Sequence, residues 1–390
     1  MTTDTPLRVL QVTARYLPLV GGTEMHTYQV ASRLATSGID VTVLTTDRGG
    51  QLLPVEEIAG VSVRRVRAWP SGRDYYFAPD LIPVITEERW DVVHCQGYHT
   101  LVAPLAMLAA LRARIPYVLT FHSGGHSSRL RQALRGAQIG LLRPLLVRAS
   151  RLIAVSEFER RHFSALLRLP AGRIVVIPNG SDLPRLPRQP AAVPARLIVS
   201  VGRLERYKGH QRVIAALPGV LAHQPEARLQ IVGSGPYEPE LRRLAAKLGV
   251  AERVEIGAIS GADREAMARL LASAGVVALL SDYESQGLGA TEALSLGCPL
   301  LVNDASALSD LTRYPLVRAV PPDAGPEAVA RALLELLALE REANAGGIVL
   351  PTWEACTADL LALYQSIVRP GGGDVPRRTP LLQEAPDVAR

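Results

Sequence analysis

The sequence predicts an α/β protein of two similarly built domains, and three observations carry that expectation. At 390 residues the chain exceeds what one ordinary core holds. In both halves, short β-branched runs alternate with longer stretches of helical periodicity, the pattern of parallel sheets covered by helices on both faces. Between the halves, residues 179–196 (NGSDLPRLPRQPAAVPAR) hold four prolines and no apolar periodicity, and read as a connection.

In the first half the strand candidates are 7–13, 41–46, 61–67, 91–95, 117–121, 152–156 and 173–178. Between the first two, 23–37 carries Met25, Tyr28, Ala31, Leu34 and Ala35 at helical spacing and stops at Gly38. The second half repeats the rhythm with RLIVSVG, ARLQIVG, RVEIGAI, GVVALL, PLLVND and LVRAVP, separated by helical segments at 211–223, 237–248 and 263–273. A further amphipathic helix is expected at 352–368, before a Gly/Pro-rich tail that reads as disordered. The expected organisation is a first domain at 1–183, a linker at 184–195, a second domain at 196–351, the helix at 352–368 and the tail at 369–390.

Composition narrows the class. Apolar residues make up 48% and charged residues 21%, which suits a soluble globular chain, and aromatics at 5% argue against an all-β sandwich. A net charge of +6 fits a phosphorylated ligand or an anionic surface better than nucleic acid, which calls for a dense basic stripe. Cys95, Cys298 and Cys356 are scattered in apolar contexts with neither metal nor disulfide spacing. With no basic head and apolar core at the N-terminus, they predict a cytoplasmic location.

Five segments hold residues suited to binding or chemistry. In SDYESQGLGATEALSLGCP (281–299), Glu284 lies in a glycine-punctuated turn after a strand and Glu292 about two turns into a helix. That places two carboxylates and helix-start N–H groups at a strand's carboxyl end, a suitable grip for an anionic ligand with hydroxyls. Solvated helix-face acids, or for Glu292 a partner to a buried arginine, are the plainer readings. GGTE (21–24) opens a helix after a strand, so Gly21 and Gly22 let a phosphate approach the backbone; an ordinary turn is equally compatible. VGRLERYKGH (201–210) sets Arg203 and Lys208 beside glycines at another strand end, where they suit a departing diphosphate or stand as plain surface charges. In TFHSGGHS (120–127), His122 ends a strand and is the first choice for a site histidine, with His94 second and His126 a loop residue. Pro-Asn-Gly at 178–180 is a turn signal.

Taken in order, these segments resemble the family 4 glycosyltransferases of GT-B fold. The resemblance runs from about residue 7 to 368 through P-x-x-GG-x-E (18–24), D-V-V-H (91–94), T-F-H (120–122), A-V-S-x-F (154–158), I-P-N-G-x-D (177–182), V-G-R-L-x-x-x-K-G (201–209), I-V-G-x-G-P (231–236), E-x7-E (284–292) and E-A-x-x-x-G-x-P (292–299). It implies two Rossmann-like domains facing across a cleft, with the C-terminal helix returning to the first. A nucleotide-diphosphate sugar would bind mainly on the second domain and a hydroxyl acceptor on the first. Glu292 would bind the ribose, Glu284 the donor sugar, Arg203 and Lys208 the diphosphate, Gly22 the distal phosphate and His122 the reacting region. Gly21, Gly202, Gly233, Ser285, Gln286, Gly287 and Leu288 would complete the donor site. It further implies a retaining reaction without metal or other cofactor, consistent with the absence of Asp-x-Asp. Two departures stand out: Gln286 replaces an aromatic, and NDASALSD (303–310) replaces a loop that usually carries Gly-Gly.

Two stretches mix arginines with apolar residues: 64–83, with Arg64, Arg65, Arg67, Arg73, Trp69, Tyr75, Tyr76 and Phe77, and 129–151, with six arginines beside Leu141, Leu142, Leu145 and Leu146. Peripheral contact with an anionic membrane competes there with a solvated helix face and an acceptor-side loop. An epimerase, a phosphorylase or a non-catalytic sugar-nucleotide binder are the alternative functions. A dehydrogenase is disfavoured because no complete G-x-G-x-x-G follows the first strand.

Overall fold

The computed structural model describes residues 6–19, 21–71, 76–123, 129–170, 172–181, 183–184, 196–260, 263–339 and 349–369. The first lobe contains β1 (Arg8–Thr13), α1 (Gly22–Thr36), β2 (Asp40–Asp47), β3 (Val55–Ile58), β4 (Val61–Arg67), α2 (Leu81–Thr86), β5 (Val92–Gln96), α3 (Val102–Arg112), β6 (Tyr117–Thr120), α4 (Arg129–Leu146), β7 (Arg151–Ala154), α5 (Glu157–Leu167) and β8 (Ile174–Val176). The second contains β9 (Leu197–Val201), α6 (His210–Leu221), β10 (Arg228–Val232), α7 (Glu238–Lys247), β11 (Val254–Gly257), α8 (Arg264–Ser273), β12 (Val276–Leu279), α9 (Leu288–Ser295), β13 (Leu300–Asn303), β14 (Val317–Val320) and α10 (Pro326–Leu337). The final helix is α11 (Trp353–Val368).

Among the described residues the first sheet runs β3-β4-β2-β1-β5-β6-β7-β8 and the second β11-β10-β9-β12-β13-β14. All pairs are parallel except β3 with β4. Strands such as β5 and β12 are buried along their whole length, as parallel strands covered on both faces must be. Strand order reverses between β1 and β5 in the first sheet and between β9 and β12 in the second. These are the switch points where open α/β sheets bind ligands at the strands' carboxyl ends.

Helix α11 starts at Thr352, whose hydroxyl caps it by accepting from Ala355 N–H at 3.1 Å. Its Trp353, Cys356, Leu360, Leu363 and Tyr364 join the same core as Val9, Val30, Ala31 and Leu34 of the first lobe. Each large side chain so buried contributes about 1.5–3 kcal/mol to holding the helix there. At this crossing the chain passes so close to Gly180 that a Cβ would lie 2.2 Å from Trp353 N, which gives the glycine after Asn179 a packing role beyond its turn.

Three details depart from the expectation. Helix α9 begins at Leu288, so Glu292 lies one turn in rather than two. Strand β3 and helix α2 went unpredicted, because VEEI has no apolar alternation and LIPVIT is short with a central proline. The basic stretches are also largely consumed by the fold. Arg65 is buried, pairs with Glu56 at 2.5 Å and donates to the carbonyls of Leu17 and Leu53. Arg64 pairs with Glu88, Tyr76 is fully buried, and Leu142 and Leu146 face the core. Trp69 (49% exposed), with the Arg67 guanidinium 4.8 Å above its ring, Phe77 (43%) and Leu141 (82%) remain at the surface. Arg73, Tyr75, His126, Asp182, the linker from 185 and the tail from 370 lie outside the described residues, as do the side chains of Arg129, Arg131 and Arg135.

Candidate active site

The two switch points face each other across a cavity of about 760 Å³. Its first-lobe wall comes from the ends of β1, β5 and β6 and the start of α1, and its second-lobe wall from the turns after β9 and β12 and the start of α9. His122, Arg203, Lys208, Glu284, Gly21, Gly22, Gly202, Ser285, Gln286, Gly287, Leu288 and Glu292 all line it. Gly233 does not. A Cβ there would sit 1.9 Å from Gly202 O, so this glycine lets the neighbouring turn pack and stands behind the cavity wall.

On the second-lobe wall, Lys208 Nζ donates to Glu284 Oε1 at 2.6 Å, and the Ser281 hydroxyl donates to the same oxygen at 2.8 Å. Burial alone would lower the Lys208 ammonium, but Glu284 and Tyr207 outweigh it and the net shift is upward, so the lysine is charged. Arg203 is more open. Its guanidinium pairs with Glu205 at 2.8 Å and donates to Tyr207 Oη at 2.8 Å. Glu292 is held by Arg264, and burial raises its carboxyl despite that partner. Three cations and three carboxylates thus stand along one wall as three ion pairs.

On the first-lobe wall, helix α1 opens with Gly22, and the Glu24 carboxylate folds back over Gly21. Burial raises the Glu24 carboxyl against the opposing pull of its own backbone N–H, Arg15 and Arg203. His122 takes a left-handed backbone with φ of 42° and makes a 2.8 Å bond from Nε2 to Gln96 Oε1. Gln96 Oε1 can only accept, so Nε2 carries the proton and Nδ1 is the basic nitrogen. Burial, then the neighbouring His26, His94 and His99, push the imidazole well below its usual range, so it is neutral.

His94, the second-choice histidine, is not in the site. It is fully buried beneath the sheet end, between Tyr364 Oη at 2.5 Å and Thr120 Oγ1 at 2.8 Å, where it ties α11 to the first sheet. Sequence reasoning missed Gln96, Arg264, Asn179 and Tyr283, whose roles arise from pairings more than 20 residues apart. Glu159 left a local trace: Ser156 and Glu159 form the S-x-x-E signature of a capped helix start, and Ser156 Oγ does accept from Glu159 N. Its carboxylate, however, leaves the cap. It accepts from Val155 N–H at 3.0 Å, Ser123 N–H at 2.7 Å and the Ser123 hydroxyl, and so anchors the residue after His122.

Both departures from the resemblance acquire a physical account. Gln286 is buried and reaches the other lobe, donating to Asn179 O and accepting from Asn179 N–H, each at 2.8 Å. In the loop without Gly-Gly, Ser306 takes the left-handed conformation itself (φ 58°), and its hydroxyl accepts from Glu284 N–H at 2.9 Å. Short polar side chains stabilise such conformations by local bonding.

Residues 20–185 match the family described as Glycosyltransferase Family 4, and residues 186–346 match Glycosyl transferases group 1. The D-inositol 3-phosphate glycosyltransferase of Nocardiopsis dassonvillei is 31% identical, over 94% of this chain and 96% of its own. The chain belongs to glycosyltransferase family 4.

Solved structures place the transferase in the same fold. Sucrose-phosphate synthase from Thermosynechococcus elongatus superposes with a TM-score of 0.72 at 22% identity, over 93% of this chain and 99% of its own. The Anabaena protein HepE, in complex with UDP and glucose, gives 0.71 at 18%, over 92% and 100%. The transferase therefore has the GT-B fold. Among its described residues no helix is long and apolar enough to cross a membrane.

Proposed function

We propose that the enzyme transfers a hexosyl group, with retention of configuration and without a metal, from a nucleotide-diphosphate sugar to an acceptor hydroxyl. A UDP-sugar is the first donor to test, since HepE binds UDP and glucose in this fold. The observation that carries the reading is the convergence of Arg203, Lys208, Glu284, Glu292, His122 and the α1 start on one interlobe cavity.

Each residue has a role that its chemistry permits. Glu292, freed from Arg264, accepts from the ribose hydroxyls. Arg203 grips the diphosphate in a fork, and Lys208 adds a point charge. The Gly22 N–H at the α1 start supplies the third positive element, so charge growing on the leaving group meets fixed charge without a metal. Glu284 faces the sugar ring, and His122 Nδ1 accepts from a sugar hydroxyl. The acceptor oxygen attacks the anomeric carbon on the face that the diphosphate leaves. The new C–O bond forms as the old one breaks, and the acceptor proton passes to the departing phosphate oxygen.

The test is a thermal-shift screen with UDP-, GDP-, ADP- and dTDP-sugars, followed by NMR of the product's anomeric proton in the presence of EDTA. Inversion, or activity that EDTA abolishes, overturns the mechanism; a requirement for free phosphate marks a phosphorylase instead. We also propose peripheral contact with an anionic membrane through the exposed Trp69, Phe77 and Arg67, an aromatic–basic combination suited to a lipid interface. Loss of co-flotation with anionic liposomes in Trp69→Ser supports it, and absence of flotation by the unmodified enzyme at low salt removes it.

A further inference from the structure

The loop that carries Glu284 is gripped from the opposite lobe at two points, one on each side of that residue. On one side Tyr283 Oη lies 2.7 Å from Ser123 Oγ. The Ser123 hydroxyl gives its proton to Glu159, so the tyrosine is the donor in the bond between lobes. The Tyr283 ring also meets Phe158 edge to face, with centroids 5.7 Å apart. On the other side, the Gln286 amide closes a two-bond ring with the backbone of Asn179. Only one orientation of that amide satisfies both bonds, so the contact is directional as well as close.

Both grips end on the supports of His122. Ser123 follows it in the chain and is anchored by buried Glu159. The Asn179 side chain bonds His26 Nδ1 at 2.6 Å, and the His26 ring packs edge-on to His122 with centroids 4.5 Å apart. We propose that Tyr283 and Gln286 are positioning residues. Together they form a two-point dock that sets Glu284 of one lobe in register with His122 of the other, so that closing the cleft assembles the reacting geometry. A single contact would leave the loop free to pivot; two contacts flanking Glu284 remove that rotation. A further side-chain pair between the lobes, Arg161 with Asp310 at 3.1 Å, is solvent-exposed and holds little.

The inference rests on the roles proposed for Glu284 and His122, and its test separates the two. Tyr283→Phe keeps the ring on Phe158 and removes the hydroxyl; Gln286→Met keeps the volume and removes both bonds. The chain's three native cysteines are buried, so spin labels go selectively onto Leu141→Cys and Arg243→Cys, exposed positions on opposite lobes. The expected result is one narrow interlobe distance in the otherwise unmodified full chain and an added, different distance in the double variant. Turnover of the donor found in the screen should fall about tenfold in each single variant and about a hundredfold in the double, as for a reacting group misplaced by an ångström. Affinity for UDP, GDP or ADP, whichever binds, should fall much less than turnover does, because Arg203, Lys208 and Glu292 all lie on the second lobe and only the Gly22 N–H comes from the first. An unchanged distance, unchanged turnover, or a fall in turnover matched by an equal loss of nucleotide affinity overturns the dock. Failure of all nucleotides to bind the unmodified chain overturns the proposed donor site, while the distance measurement still decides the dock.

Discussion

Lys208 Nζ and Glu284 Oε1 stand 2.6 Å apart on the cleft wall, and both side chains are about 15% exposed. The two charges neutralise each other. In the proposed mechanism a diphosphate gives Lys208 a second anion and frees Glu284 for the sugar. Removing the lysine therefore both strands a half-buried carboxylate and deletes charge stabilisation of the leaving group.

Lys208→Ala and Arg203→Ala should each lower turnover by about 10²–10³, the usual cost of losing one preorganised charge at a developing anion. Single-turnover rates at saturating donor measure this directly. Near-normal rates in both variants remove the leaving-group role.

Glu292→Ala should raise the donor KM by about tenfold or more, because a charged acceptor of hydroxyl bonds is worth about 1.5–3 kcal/mol. The acceptor KM should stay constant, since Glu292 and its partner Arg264 both lie on the second lobe. Steady-state kinetics with each substrate varied in turn separate the two. An equal rise in both constants contradicts a ribose contact.

Glu24→Gln should tighten diphosphate binding several-fold. The carboxylate lies over Gly21 at the α1 start, where an incoming phosphate needs the same N–H groups and the same positive end of the helix. Calorimetric titration with the free nucleoside diphosphate checks this; weaker binding by the variant assigns Glu24 to holding the loop open.

Four buried histidines, His26, His94, His122 and His210, should make the fold acid-sensitive. Burial lowers each, His26 and His210 to about 4. Between pH 4 and the ordinary value of 6.5 the unfolded chain binds protons that the folded chain refuses, so stability falls as pH falls through that window. Each such group contributes on the order of 1 kcal/mol per pH unit there. Melting temperatures from pH 7.5 to 4.5 should decline below about 6.5, and His210→Gln should flatten the slope. A flat profile in the unmodified chain contradicts the buried neutral state.

Much of the fold was legible in the chain because parallel sheets demand it locally. VVAL is apolar throughout, and VVHCQ opens apolar and is buried along its length, since both sheet faces are covered; each lies between helices. The ordered motifs also place Arg203, Lys208 and Glu284 at strand ends and Glu292 in the helix that follows. Backbone direction alone sends such residues to the rim of the sheet. The same local view overvalued Gly233 and His94, because a strand-end glycine or histidine looks alike whether it faces the cleft or the core.

By itself, then, the order of residues determined two nucleotide-fold lobes, their strand ends and the polar groups at those ends. Only tertiary structure decided which of those groups meet. Gln286 with Asn179, Tyr283 with Ser123, His122 with Gln96 and Glu292 with Arg264 are pairings across 26 to 160 residues. The first two are chosen by how the lobes pack on each other and the last two by how strands and helices pack within one lobe, and nothing in the neighbouring residues of the chain encodes those choices. A hydrogen bond depends on atoms brought within about 3 Å, and the fold alone supplies that proximity.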